Sequence, residues 1–129
     1  MNGRFLLDTN IIIALFNNEP SVMEKLLQAK EVFIPSIVCG ELYYGANKSV
    51  QVTKNLERID LLASIITVLT CNINTAKEYG LIKDLLRKKG KPVPENDIWI
   101  ASIAKQYELT LVTRDKHFEE MENLRLEIW

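Results

Sequence analysis

Four acidic residues lie where this sequence is otherwise apolar or where a helix begins, and such a set could hold a metal ion. Asp8 follows the apolar run 5–7 and is followed closely by Ile11–Ile13. A lone carboxylate among apolar side chains is costly unless it is paired or bound to a cation. The four residues, called the acidic quartet below, are Asp8, Glu41, Asp97 and Asp115.

Three members of the quartet also have ordinary structural explanations. Glu41 shares a helical stripe with apolar residues three and four positions away, but a single glutamate fits the rim of such a stripe with its carboxylate in water. Asp97 fits the first turn of a helix, where the helix dipole stabilises an acid by about 0.3–1 kcal/mol. Asp115 fits the N-cap of a short helix. Chance capping explains one or two of these positions more easily than all of them.

If the quartet gathers in one place, its charges need an explanation. Two ionised carboxylates about 6 Å apart repel by roughly 3 kcal/mol at an effective dielectric of 20. Several such pairs rival the stability of a whole domain, about 5–15 kcal/mol, so the carboxylates must retain protons or bind a cation. Since carboxylate oxygens suit hard cations, we expect Mg²⁺ or Mn²⁺ as the cofactor.

The elements that position these residues follow from the apolar pattern. Strand-length apolar segments alternate with segments of helical period, which predicts an α/β fold with a mostly parallel sheet. The predicted strands cover about 4–8, 32–34, 66–69, 109–113 and 124–129. The predicted helices cover about 11–16, 20–29, 36–45, 50–63, 75–89 and 94–104, and a short helix precedes the last strand.

Three helix ends are predicted from single residues. Ser36 is the expected N-cap of the third helix. Gly90 is expected to end the fifth helix, and Pro94 is expected in the first turn of the sixth. If the strands at 4–8 and 109–113 are parallel, Asp8 and Asp115 lie at one edge of the sheet, where open α/β sheets bind their ligands.

Composition narrows the class of protein. The 129 residues suit one domain over 1–129, and 47% hydrophobic residues with 26% charged residues are typical of a soluble globular protein. Cys39 and Cys71 form no CxxC pair, and with a single histidine neither a disulfide framework nor a structural zinc site is indicated. No stretch approaches the roughly 18 apolar residues of a membrane span, so we expect a cytoplasmic protein.

The basic residues bear on a nucleic-acid partner. The net charge of -1 means that any basic site must be local. The densest basic run consists of Arg87, Lys88, Lys89 and Lys91. It precedes the segment with Asp97 and therefore suits the phosphate backbone of a nucleic acid, but cations at the end of a helix also complement its dipole. Both interpretations stay open.

The chain resembles the PIN-domain ribonucleases, in particular the VapC toxins of bacterial type II toxin–antitoxin pairs. The resemblance spans essentially the whole chain. Any one of its motifs is weak, whereas four in order are specific. The segments are 6–10 (LLDTN), 35–45 (PSIVCGELYYG), 94–101 (PENDIWIA) and 111–118 (LVTRDKHF).

This resemblance implies a five-stranded parallel sheet flanked by helices, with the quartet as catalytic ligands of one or two divalent ions. Metal-activated water would then cleave RNA, leaving a 5′-phosphate and a 3′-hydroxyl. Thr9, Asn10 and Thr113 match supporting polar positions. The resemblance also implies a VapB-like antitoxin as partner and a homodimer.

Two other functions are alternatives. The first is a catalytically silent PIN-like scaffold or RNA-binding module, which loss of a metal ligand would favour, and all four ligands are present. A phospho-acceptor receiver domain needs an aspartate after a middle strand, and residues 66–72 contain none. Chemistry by two histidines is excluded because His117 is the single imidazole, which we expect on the surface of a helix.

Overall fold

The chain folds into a parallel sheet flanked by helices. The computed structural model describes residues 3–129. The strands within this range are β1 (Arg4–Leu7), β2 (Glu31–Pro35), β3 (Thr67–Leu69), β4 (Thr110–Val112) and β5 (Leu126–Glu127). The helices are α1 (Thr9–Phe16), α2 (Pro20–Gln28), α3 (Ser36–Asn47), α4 (Val52–Ile65), α5 (Ile73–Lys89) and α6 (Glu95–Gln106). A 3₁₀ helix, Lys116–Glu120, precedes β5.

The strand order is β3-β2-β1-β4-β5, and every neighbouring pair is parallel. The predicted α/β fold with five strands is therefore confirmed, and the sheet is parallel throughout. β1 and β4 are adjacent, with Leu7 opposite Val112. The Asp8 amide extends the pairing by donating to the Val112 carbonyl at 3.0 Å. Both strands thus end at the same edge of the sheet, and Asp8 and Thr113 begin that edge.

The core holds these strand ends in place. Leu6 of β1, Leu111 of β4, and Ile100 and Ile103 of α6 have no exposed surface. Central strands of a parallel sheet are covered on both faces, which explains their near-continuous apolar sequence. Because β1, β4 and α6 pack in one core, the strand ends and the first turn of α6 have fixed relative positions.

The helix ends confirm one prediction and correct two. Gly90 adopts a left-handed conformation (φ 68°) and ends α5, as expected. Ser36 is not an N-cap, because Pro35 is the last residue of β2 and itself caps α3, which starts directly at Ser36. Pro94 likewise caps α6 in an extended conformation and does not lie within its first turn.

The outer helices expose several large apolar side chains. On α4 and α5 these are Leu61, Ile65, Ile73 and Leu81. Within residues 3–129, no helix combines the length and apolar character needed to cross a membrane.

Candidate metal centre

Asp8 lies at the junction between β1 and α1 and is 5% exposed. As N-cap of α1, it accepts a hydrogen bond from the Thr9 amide at Oδ1, 2.8 Å away. The Thr113 hydroxyl donates to Oδ2 at 2.7 Å. Burial raises the pKa of Asp8, the hydrogen bonds from Thr113 and Thr9 lower it, and the charges of Glu41 and Asp115 raise it further. Asp8 is therefore both the N-cap of α1 and a buried carboxylate.

Glu41 points from α3 toward the same edge. Its Oε1 accepts a hydrogen bond from the Thr9 hydroxyl at 2.5 Å. Its Oε2 accepts one from Asn96 Nδ2 at 3.3 Å, and Asn96 directly precedes Asp97 on α6. Glu41 is half-buried and bonded on both oxygens, so it does not simply extend into water at the rim of the helix.

Asp97 and Asp115 meet around His117. Asp115 caps the 3₁₀ helix by accepting from the His117 amide at 2.9 Å. His117 Nδ1 lies 3.0 Å from Asp115 Oδ1 and 3.5 Å from Asp97 Oδ2. One potential ligand atom from each of the three residues lies within 4.8 Å of the others. This spacing allows a single cation to contact more than one of them.

These contacts close a ring that contains the whole quartet. The Thr113 hydroxyl, which donates to Asp8, also accepts a hydrogen bond from the Asp115 amide at 3.0 Å. We call the assembly the acidic ring. In order around it lie Asp8, Thr113, Asp115, His117, Asp97, Asn96, Glu41 and Thr9. The structure therefore brings all four predicted carboxylates to one edge of the sheet.

The electrostatics of the ring suit a divalent cation. Asp97 is 9% exposed, and its burial, reinforced by the charges of Asp115, Asp8 and Glu41, raises its pKa to about 6. Within residues 3–129, no lysine or arginine forms an ion pair with the quartet. The opposing charge is that of His117, when it is protonated. A hard cation on these oxygens would relieve the repulsion, so the donor set fits Mg²⁺ or Mn²⁺.

Asn10, which was predicted as a supporting residue together with Thr9 and Thr113, contacts the ring from α1. Its Nδ2 lies 3.3 Å from Thr113 Oγ1 and 3.5 Å from Asp8 Oδ2. Its Oδ1 accepts from the Arg114 amide at 3.1 Å. Asn10 therefore ties the loop after β4 to the start of α1, which fixes Asp8 relative to Asp115.

Two residues of the ring were not predicted as part of the site. Asn96 had no assigned role, although its position beside Asp97 was a usable signal. His117 was expected on the surface of a helix, and this is confirmed, since its side chain is 54% exposed on the 3₁₀ helix; the contacts of its Nδ1 with Asp115 and Asp97 were not expected. Its place two residues after Asp115 in a tight helical turn was the signal for this contact.

The basic run lies beside the ring and not within it. Lys88 pairs with Asp84 at 3.0 Å. Lys89 Nζ donates to the Glu120 carbonyl at 2.6 Å, so the end of α5 packs against the 3₁₀ helix that carries His117. RNA binding by this run stays a prediction.

Comparison with known proteins adds three findings. A sequence model of the PIN domain matches residues 5–124. Over 129 residues the chain is 37% identical to ribonuclease VapC2 of Haemophilus influenzae and 38% identical to the tRNA(fMet)-specific endonuclease VapC of Shigella flexneri, with 98% of each chain covered in both cases. Its fold is similar to that of DNA-bound VapBC from Salmonella typhimurium, with a TM-score of 0.91 and 34% identity over 100% of this chain and 99% of that one.

Proposed function

The chain belongs to the PIN-domain family, among the VapC ribonucleases, and we propose that it cleaves RNA at the acidic ring with Mg²⁺ or Mn²⁺ held by the quartet. It is an RNA-cleaving toxin that a VapB-type antitoxin neutralises. The observation that carries the proposed site is the closed ring of contacts around four carboxylates that no lysine or arginine of residues 3–129 neutralises.

When bound, the cation activates a water molecule for attack on the phosphodiester and offsets charge on the leaving oxygen. The chain's own contribution is to fix the carboxylates. Thr9 acts on two of them, through its amide to Asp8 and its hydroxyl to Glu41. Thr113 orients the second oxygen of Asp8, and Asn96 orients the second oxygen of Glu41. Such outer contacts keep ligand oxygens at bonding positions without further reorganisation.

No side chain has to act as the nucleophile in this reaction. One histidine cannot supply both a general acid and a general base of the imidazole type, and His117 is already in contact with Asp115 and Asp97. Attack by water on the phosphorus, with cleavage of the bond between phosphorus and the 3′ oxygen and protonation of that oxygen, would leave a 5′-phosphate and a 3′-hydroxyl, as the family resemblance implies. We propose this as the product chemistry.

The proposed function is tested with purified protein and a mixed RNA pool. We expect cleavage with Mg²⁺, and none with EDTA or in the Asp8→Asn and Asp97→Asn variants, because each substitution removes an anionic ligand. Glu24→Gln, an exposed acid on α2, is the matched control and should cleave like the wild type. Undiminished cleavage by both aspartate variants would contradict the proposal.

An apolar groove shares Thr9 and Glu41 with the ring, and we propose that a segment of the antitoxin lies in it. The groove has a volume of about 290 Å³ between α1, α3 and α4, and Thr9 and Glu41 line one end. Ile13 is 48% exposed there, and Phe16 lies under the Arg58 guanidinium, 4.9 Å from the ring centre. A segment in this groove would therefore reach the acidic ring directly.

Two further expectations complete the proposal. We place the protein in the cytoplasm, where its RNA substrate and antitoxin are made. The homodimer stays a prediction, for which the exposed apolar residues of α4 and α5 offer a surface. Those residues are Leu61, Ile65, Ile73 and Leu81.

A further inference from the structure

A second cavity, of about 390 Å³, lies where α5 ends and α6 begins. The two helices are joined by residues 90–94 alone, and helices joined by so short a loop run antiparallel. The end of α5 and the first turn of α6, which carries Asp97, therefore lie at the same end of the molecule. Glu95 and Ile98 line the cavity, on either side of Asp97 in the sequence. We call it the α5–α6 cavity.

The floor of the α5–α6 cavity is apolar. Leu86 and Ile98 are buried, and Val93 is half-buried between them and the solvent. The cavity volume falls in the range of small-ligand pockets, about 300–1,000 Å³. A flat aromatic group such as a nucleobase suits an open, apolar surface of this kind, since every base offers the same π-face.

The rim of the cavity carries an excess of positive charge. Lys83, Arg87 and Lys91 line it against one lining carboxylate, that of Glu95. Glu95 is already occupied by Lys83 at 2.9 Å, and Arg87 contacts Asp84 at 2.8 Å. Among residues 3–129, Lys91 has no ion-pair partner, although its amide is held by the Leu86 carbonyl at 3.1 Å. A fixed backbone thus presents a cation with no internal partner at the mouth of the cavity.

The basic run therefore divides into two pairs with different surroundings. Arg87 and Lys91 line the cavity. Lys88 and Lys89 do not line it; Lys88 pairs with Asp84, and Lys89 donates to the Glu120 carbonyl. The left-handed turn at Gly90 separates Lys91 from the helix and places it beside the cavity.

We propose that the α5–α6 cavity binds one nucleotide of the RNA substrate beside the acidic ring, with its base on the apolar floor and a phosphate at Arg87 and Lys91. The proposal rests on the nuclease function proposed above. Charge argues for RNA as the occupant: the quartet repels a polyanion, so a substrate phosphate needs cations close by. A nucleotide of a single strand offers both an unpaired base and a phosphate, which match the apolar floor and the basic rim of this cavity.

The test measures binding of a fluorescein-labelled, mixed-sequence single-stranded RNA of about 12 nucleotides, with Ca²⁺ replacing Mg²⁺. Lys91→Glu should weaken binding about tenfold at low salt and reduce the salt dependence of log Kd by about one. Lys88→Glu, the same charge change outside the cavity, should have a much smaller effect. Val93→Trp, which fills the cavity from a half-buried loop position, should also weaken binding, with its fold checked by circular dichroism.

The outcomes separate this proposal from the nuclease proposal. If the wild type cleaves RNA with Mg²⁺ but Lys91→Glu and Val93→Trp bind RNA normally, the cavity proposal alone is overturned. If binding depends on Lys91 and Val93 but no cleavage occurs, the nuclease proposal alone fails. No measurable RNA binding by the wild type also overturns the cavity proposal. Polyglutamate serves as a second probe. If Lys91→Glu loses binding to polyglutamate but binds RNA normally, the cavity is assigned to an acidic protein segment instead.

Discussion

Burial and neighbouring negative charges act together on the pKa of Asp97. Its pKa is raised to about 6 from the ordinary 3.8, first by burial and then by Asp115 and Asp8. Perturbed acids of this kind concentrate at functional sites. The same shift makes the metal-free protein sensitive to pH, because the folded state holds this proton more tightly than the unfolded state does.

We therefore expect Asp97 to destabilise the metal-free protein as the pH rises from about 4 through about 6. In that window the folded state binds more protons, so the free energy of unfolding falls with rising pH; a two-unit shift corresponds to about 3 kcal/mol. Urea unfolding in EDTA measures this. Asp97→Asn should gain stability relative to the wild type between pH 4.5 and 7.5, whereas Glu24→Gln should not. A constant difference between wild type and Asp97→Asn would refute this account.

Thr113 is expected to act on the metal through Asp8. Replacing it with valine removes the donor to Asp8 Oδ2 and the acceptor of the Asp115 amide. Loss of an outer contact of this kind costs about 10–100-fold in metal affinity. Mn²⁺ titration calorimetry should show that loss for Thr113→Val and recovery in Thr113→Ser. Equal affinity in the valine variant would show that Asp8 needs no such support.

At the level of single residues, the sequence suggested the quartet, because a carboxylate beside an apolar segment needs a partner and the motifs of the PIN resemblance contain all four residues. It could not supply the partners themselves. Asn96 contacts Glu41 across 55 residues of sequence, and that contact depends on how α3 and α6 pack. The contacts of His117 with Asp115 and Asp97 could not be predicted for a similar reason: one turn of 3₁₀ helix sets the direction of its imidazole.

Among the elements, β1, β4 and α6 do most to position the site. Their apolar runs predicted strands and a helix correctly, since buried strands and helices differ in length and in residue type. The pairing of β1 with β4 was assumed at first and is confirmed by the register of Leu7 with Val112. The prediction of Ser36 as N-cap was wrong because β2 passes into α3 without a loop. No local sequence signal distinguishes this arrangement from a normal cap.

The glycines of α5 provide a test of helix propensity. Gly80 is exposed in the middle of α5, and a Cβ there would meet no atom within 4 Å. Gly80→Ala should therefore raise the free energy of unfolding by about 0.5–1 kcal/mol. Gly90→Ala should lower it by about 1–2 kcal/mol, because its φ of 68° is unfavourable for a residue with a Cβ. Urea denaturation compares the two, and a gain in both variants would contradict the assignment of Gly90.

In the molecule as a whole, acidic and basic side chains form separate patches, although the net charge is only -1. The acidic ring shares Thr9 and Glu41 with the apolar groove formed by α1, α3 and α4, and its Asp97 lies in the sequence between Glu95 and Ile98 of the α5–α6 cavity. These surfaces could not be read from the sequence, because each combines residues from separate helices. The basic run was visible as a cluster, but its division between cavity and outer surface was not.

The position of the groove predicts which substitutions weaken antitoxin binding. Ile13→Gln keeps a similar side-chain size but places an amide on the groove surface, so we expect antitoxin affinity to fall at least about fivefold, as for a central interface residue. Met23→Gln, at a similarly exposed apolar position on α2 outside the groove, is the control. Calorimetry with the antitoxin decides between them. If Met23→Gln lowers the affinity and Ile13→Gln does not, the groove is not the antitoxin site.

The central claim is that the quartet binds a divalent cation, and a crystal soaked in Mn²⁺ tests it most directly. Anomalous scattering locates the ion independently of any activity. We predict an anomalous peak within bonding distance of carboxylate oxygens from Asp8, Glu41, Asp97 and Asp115, and loss of that peak in Asp97→Asn. A fully soaked wild-type crystal with no peak at the acidic ring would contradict the account.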